Sequence, residues 1–165
     1  MSANEKRESR IKSVLFFTKA ATIVMMCMCA AALIFSYYIC VFGWAIDVKG
    51  AARALNIIPE KPAFAIFMGI YYICIGFAIV ILVGVWKLLK NLSADEVFFR
   101  KNTKLLDIIT LGCAGIAVFC FLCGLILPSV VFIGFVGLFM GLIVQCVKVL
   151  MDKAIDIREE NDLTI

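Results

Sequence analysis

The sequence predicts an all-α membrane protein, a four-transmembrane-helix bundle with both termini in the cytoplasm. Three observations predict it. Hydrophobic residues make up 64% of the 165-residue chain and charged residues 17%, with a mean hydropathy of +1.07; soluble domains carry about 45–50% and 25%. A chain this small has too much surface for its volume to bury that apolar excess by itself. The apolar residues fall into four long runs, and lysine and arginine are concentrated at alternate ends of them.

The runs cover residues 20–46, 63–86, 105–127 and 130–150, which hold 27, 24, 23 and 21 residues. A hydrocarbon layer of about 30 Å takes some 20 residues at 1.5 Å each, so every run can cross as a helix. Membrane strands would alternate in polarity over about 10 residues, and no alternation is visible. The whole chain, 1–165, reads as a single integral membrane domain. The first run follows a basic N-terminus, and Ala30–Ala32 loosely resembles a processing site. It continues to Ile46, however, far beyond a signal-peptide core of about 7–15 residues, so an uncleaved anchor is expected.

Sidedness follows from the cations flanking the spans. Lys6, Arg7, Arg10, Lys12 and Lys19 lie at the N-terminus; Lys87, Lys90, Arg100, Lys101 and Lys104 lie in the connector 87–104; Lys148, Lys153 and Arg158 lie at the C-terminal end. An even number of spans puts these 13 on one side, against Lys49, Arg53 and Lys61 on the other. The richer side is assigned to the cytoplasm of a cell membrane. Tyr37, Tyr38, Trp44, Tyr71 and Tyr72 read as an aromatic belt at the opposite interface.

Helices in lipid gain little from hydrophobicity when they associate, so small residues mark their contacts. The last span has Gly134, Gly137 and Gly141, and the third has Gly112 and Gly115. Only Pro128 and Ser129 separate these two spans. They are therefore expected as an adjacent antiparallel hairpin with glycines at its seam; the G-x-x-x-G of Gly137 and Gly141 also suits a homodimer.

Within the spans, chemistry is sparse. There is no histidine, no phosphate-binding glycine loop and no pattern for a cofactor or metal, so no catalytic, cofactor or metal residue is assigned. Lys19, Asp107 and Lys148 sit near span ends, where their charges can snorkel to water. Gln145 is the deepest strongly polar side chain, and with the glycines it suits a small transporter or channel subunit. Cys120-x-x-Cys123, with Cys40 as a partner on span one, has the spacing of a membrane thiol oxidoreductase. Against that, no cation adjoins the motif to activate a thiol. The other cysteines, Cys27, Cys29, Cys74, Cys113 and Cys146, all lie in apolar runs and read as small packing residues.

Polar pattern returns at the cytoplasmic end. Ser93-x-x-Glu96 has the form of a capping box, and Val97, Phe98, Phe99, Arg100 and Lys101 follow. This reads as a short surface helix or as a plain connector into span three. The tail 151–165 is acidic, with Asp152, Asp156, Glu159, Glu160 and Asp162 against Lys153 and Arg158. Met151, Ile155 and Arg158 continue the face of the last span, so its helix is expected to run on into water. An acidic tail beside a basic connector suits a docking site for a basic partner, or simply a solubilising end.

The stretches Phe98-Phe99-Arg100-Lys101-Asn102-Thr103-Lys104-Leu105-Leu106 and Glu160-Asn161-Asp162-Leu163-Thr164-Ile165 resemble the two signatures of the YoaS-like family. These are four-span bacterial membrane proteins of unknown function. The resemblance implies an inner-membrane protein, often encoded beside a helix-turn-helix transcription regulator, and supplies no catalytic residue. It favours Asn102 and the end of the tail, Asp162 to Ile165, as cytoplasmic contact or structural positions. Taken together, the expected function is non-enzymatic: binding or sequestering a cytoplasmic transcription regulator, without direct contact to nucleic acid. The expected partner-binding residues are Phe99, Arg100, Lys101, Asn102, Glu159, Glu160, Asp162 and Leu163, with membrane lipids around the spans.

Overall fold

The computed structural model describes residues 3–43, 60–94, 99–125 and 128–162. The described residues are helical apart from short connections. Helix α1 spans Ala3–Ile34, α2 covers 36–43, α3 spans Glu60–Ser93, α4 spans Arg100–Gly124 and α5 spans Val130–Asp162. α1, α3, α4 and α5 are each long and apolar enough to cross a membrane. Trp44, Glu96 to Phe98 and Leu163 lie outside the described residues.

The helices outrun the apolar spans at the end where the cations gather. α5 has 33 residues and is roughly 50 Å long, against a hydrocarbon layer of about 30 Å. Its last dozen residues, which carry the acidic cluster, therefore project beyond the hydrocarbon. α3 likewise continues through Lys87 and Lys90 to Ser93, and α4 begins at Arg100. The expected connector 87–104 thus shrinks to residues 94–99. The capping-box expectation also changes: the Ser93 hydroxyl donates to the Leu89 carbonyl at 2.7 Å, closing the end of α3 instead of starting a helix. Phe99 takes the cap position of α4 in an extended conformation, with no side-chain cap bond.

At the other end, residue 35 interrupts the first span as a turn between α1 and α2. Here two belt tyrosines have specific partners. The Tyr71 hydroxyl donates to the Ala32 carbonyl at 3.0 Å, and the Ser36 and Tyr72 hydroxyls share a hydrogen bond of 2.7 Å. Polar side chains in lipid find such partners because water is not there to supply them.

The expected bundle is not closed. α4 packs most extensively on α5 and next on α3, while α1 packs on α3; no other pair of these long helices is in contact among the described residues. The four lie in an open row, each against its neighbours in sequence, with α3 and α4 between the outer two. Burial is concentrated in α4: 33% of its most apolar stretch is buried, against 6%, 6% and 11% for α1, α3 and α5, so the α1–α3 contact is the looser one. In water such a row would collapse on itself. In lipid nothing drives closure, because acyl chains cover Leu and Phe as well as another helix does.

Glycine placement explains how α4 can have neighbours on both sides. Gly134, Gly137 and Gly141 of α5 all meet α4; a Cβ at Gly137 would lie 3.4 Å from the Cys113 carbonyl oxygen, and one at Gly141 3.3 Å from the Cys113 Cβ. Gly112 and Gly115, expected at the same seam, point the other way. A Cβ there would meet Ile81 at 2.6 Å and the Phe77 ring at 2.8 Å, both on α3. Residues one turn apart stay on one side, whereas Cys113 and Ala117 fall on the α5 side of the same helix.

Candidate interaction surface at the polar end

Two segments far apart in sequence, the start of α4 and the end of α5, meet at one end of the row. Arg100, the first residue of α4, lies opposite the penultimate turns of α5. Its Nε donates to Glu159 Oε1 at 3.2 Å and an Nη to Glu159 Oε2 at 2.7 Å, a bidentate pair. The same Nη reaches Asp156 Oδ1 at 3.3 Å. The guanidinium, hydrogen-bonded to its carboxylate, holds Glu159 below the ordinary Glu range. All three side chains are more than half exposed, so water screens the clasp and its contribution to stability is small.

Beneath the clasp the groups are less accessible. Asn91, near the end of α3, donates its amide to Asn102 Oδ1 at 2.7 Å across the connection between the helices. Asn102 is 2% exposed and among the largest fully buried side chains. Thr103, also buried, donates its hydroxyl to the Arg100 carbonyl. One turn further in, Lys148 Nζ lies 2.7 Å from Asp107 Oδ1, bridging α5 to α4. The sequence treats those two as separate snorkelling charges; the structure pairs them, and pairing is what lets ionised groups sit near a membrane boundary. Leu89, Leu106 and Ile155 are buried in the same region, one from each of the three helices.

The expected contact residues thus separate into distinct groups. Phe99, Lys101 and Glu160 are exposed on the surface. Arg100 and Glu159 are exposed but bonded to each other. Asn102, expected as a contact or a structural position, takes the structural role: its side chain is buried and accepts a hydrogen bond from Asn91, joining α3 to α4, so it offers no surface to a partner. Asp162 ends α5, and Leu163 lies outside the described residues. Ile155 continues the buried face of α5 as expected, while Arg158 is exposed. Asn91 and Asp156 are not among the expected contact residues; Asp156 is legible only as part of the acidic tail, and an asparagine eleven residues before another is the only hint the sequence holds of the first pairing.

The cysteines of the redox spacing are buried. Cys120 and Cys123 are 4% and 1% exposed, and Cys74 of α3 lies within hydrogen-bonding reach of Cys120. Cys40 is wholly buried, and all eight cysteines are free. Among the described residues, no three His, Cys, Asp or Glu side chains converge as a metal site requires.

Four apolar helices, their polar groups gathered at the ends, define a multi-pass helical membrane protein. The chain belongs to the family described as "Protein of unknown function (DUF2975)", which matches residues 5–165. This is consistent with the resemblance to YoaS-like proteins. No curated protein and no solved structure matches the chain.

Proposed function

We propose that this protein is a non-enzymatic membrane regulator that holds a cytoplasmic DNA-binding protein, of the helix-turn-helix type, at its polar end. In this reading both termini and the connection between α3 and α4 face the cytoplasm, as 13 of 16 lysines and arginines favour. The observation that carries the proposal is the Arg100–Glu159–Asp156 clasp. It ties the start of α4 to the projecting end of α5, and the exposed Phe99, Lys101, Arg158 and Glu160 are sequence neighbours of the two residues it joins, Arg100 and Glu159. The membrane-embedded part, by contrast, displays apolar side chains suited to lipid. The helix-turn-helix partner rests on the family resemblance, and the regulator, not this chain, touches nucleic acid.

Pull-down from detergent-solubilised membranes tests the proposal. The full chain is expected to recover a helix-turn-helix protein identified by mass spectrometry, and a chain truncated after Lys153 to lose it. Recovery of no DNA-binding protein, or equal recovery by both chains, refutes it.

A further inference from the structure

Gln145 is the deepest strongly polar side chain of the four spans. It lies five residues inside the C-terminal limit of the span 130–150, or about 8 Å from it. The structure leaves this side chain exposed and without a hydrogen bond among the described residues. In water that would be unremarkable. Within hydrocarbon, an amide whose two N–H donors and carbonyl acceptor are all unmet is costly. Snorkelling does not relieve it, because helix side chains lean toward the helix N-terminus, which for α5 is toward the membrane centre.

The surroundings of Gln145 say what kind of partner fits. Leu138, Leu142, Gln145 and Val149 recur at intervals of four, three and four, the spacing that lines up a single seam between two helices. Leu138, Leu142 and Val149 are 46%, 58% and 47% exposed. Gly134, Gly137 and Gly141 lie against α4 on the adjoining face, centred about 80° round the helix from the stripe. The G-x-x-x-G motif is therefore used within the chain; this stripe, like the other exposed positions of α5, has no helix against it, and Gln145 is what sets it apart. α5 touches no other long helix, so among the described residues nothing in the chain covers it.

We infer that a second copy of this chain docks on the Leu138–Leu142–Gln145–Val149 stripe, the two Gln145 amides hydrogen-bonding each other across a two-fold axis. A primary amide is self-complementary: each donates to the other's carbonyl, so a symmetric pair satisfies both without a further chain. One polar residue in an apolar seam also sets the register of the two helices. Thr110 on α4, whose hydroxyl is buried without a partner, is the intramolecular competitor for the amide. The inference rests on the membrane reading of α5 and is independent of the regulator.

Dimerisation in liposomes tests it, followed by energy transfer between labelled full-length chains as lipid dilutes them. The expected result is a dimer that Gln145→Leu weakens about tenfold, the size of an interhelical amide hydrogen bond in a membrane. A second arm uses cysteine cross-linking in a chain whose exposed Cys27 and Cys146 are alanine. Leu142→Cys is expected to cross-link and Ile143→Cys, about 100° round the helix, is not. A chain that stays monomeric at every dilution overturns the inference and returns the amide to Thr110. So does a dimer indifferent to Gln145→Leu, or equal cross-linking at 142 and 143.

Discussion

Removing either side of the Asn91–Asn102 hydrogen bond tests whether this buried pair holds the α3–α4 connection. The bond is short, 2.7 Å, and its acceptor belongs to a side chain only 2% exposed, whereas Asn91 is half-buried. A typical net hydrogen bond contributes about 1 kcal/mol, but a buried polar group left without its partner costs about 1–3 kcal/mol. Asn91→Ala deprives the buried Asn102 carbonyl of that donor and is expected to cost about 2 kcal/mol. Asn102→Ala leaves an amide that water can reach, and loses the bond together with some packing. Once Asn102 is gone, Asn91→Ala has nothing left to strand. The double variant is therefore expected to fall short of the sum by about 1–2 kcal/mol. Unfolding of the purified chain in mixed micelles, followed by far-UV circular dichroism for the four variants, gives the cycle directly. Losses that add to within about 0.5 kcal/mol would refute the coupling, and with it the role assigned to Asn102.

The glycines should discriminate by what faces them. Gly137→Ala is expected to be nearly neutral, since its Cβ would rest at van der Waals distance from the Cys113 carbonyl, while Gly137→Leu should separate α4 from α5 and lower the melting temperature. Gly112→Ala should destabilise by about 1–3 kcal/mol through overpacking against Ile81, and should cost less in an Ile81→Ala background, where the clashing Cγ1 is gone, in the same melting assay. The clasp should depend on pH with a definite sign. Glu159 has a lowered pKa in the folded chain, so its contribution is present above the ordinary Glu value of about 4.3 and is lost as pH falls through the lower folded value. Hydrogen exchange at the end of α5 should rise across that acid range, and Arg100→Gln should raise it at neutral pH and abolish the dependence. Finally, a cysteine at Lys101 should resist an impermeant thiol reagent added outside intact cells; labelling there would reverse the proposed sidedness.

Much of this architecture is legible residue by residue. Runs of 21 to 27 apolar residues require membrane helices, since only a helix satisfies every backbone group within its own segment. The continuation of α5 into water is visible in the spacing of Met151 and Ile155. The connector was harder to read, because Ser93-x-x-Glu96 fits a helix start and Ser93 equally suits a helix end, where its hydroxyl bonds back four residues. The family resemblance marks Asn102 without saying whether it faces a partner or the protein; its burial depends on Asn91 arriving from another helix.

Hydropathy belongs to each segment alone, so the number of crossings, their helical form and the asymmetry of charge between their ends follow from the chain as written. Packing does not, because in spans apolar on every side no stripe announces which face meets which helix. Only the tertiary arrangement decided that α3 and α4 lie inside an open row, that Gly112 and Gly115 serve α3 while Gly137 and Gly141 serve α4, and that Arg100 closes on Glu159 and Asp156. Those choices turn on close fit and on polar groups finding one another across dozens of residues, the forces that remain once lipid has removed the hydrophobic reward for helix contact.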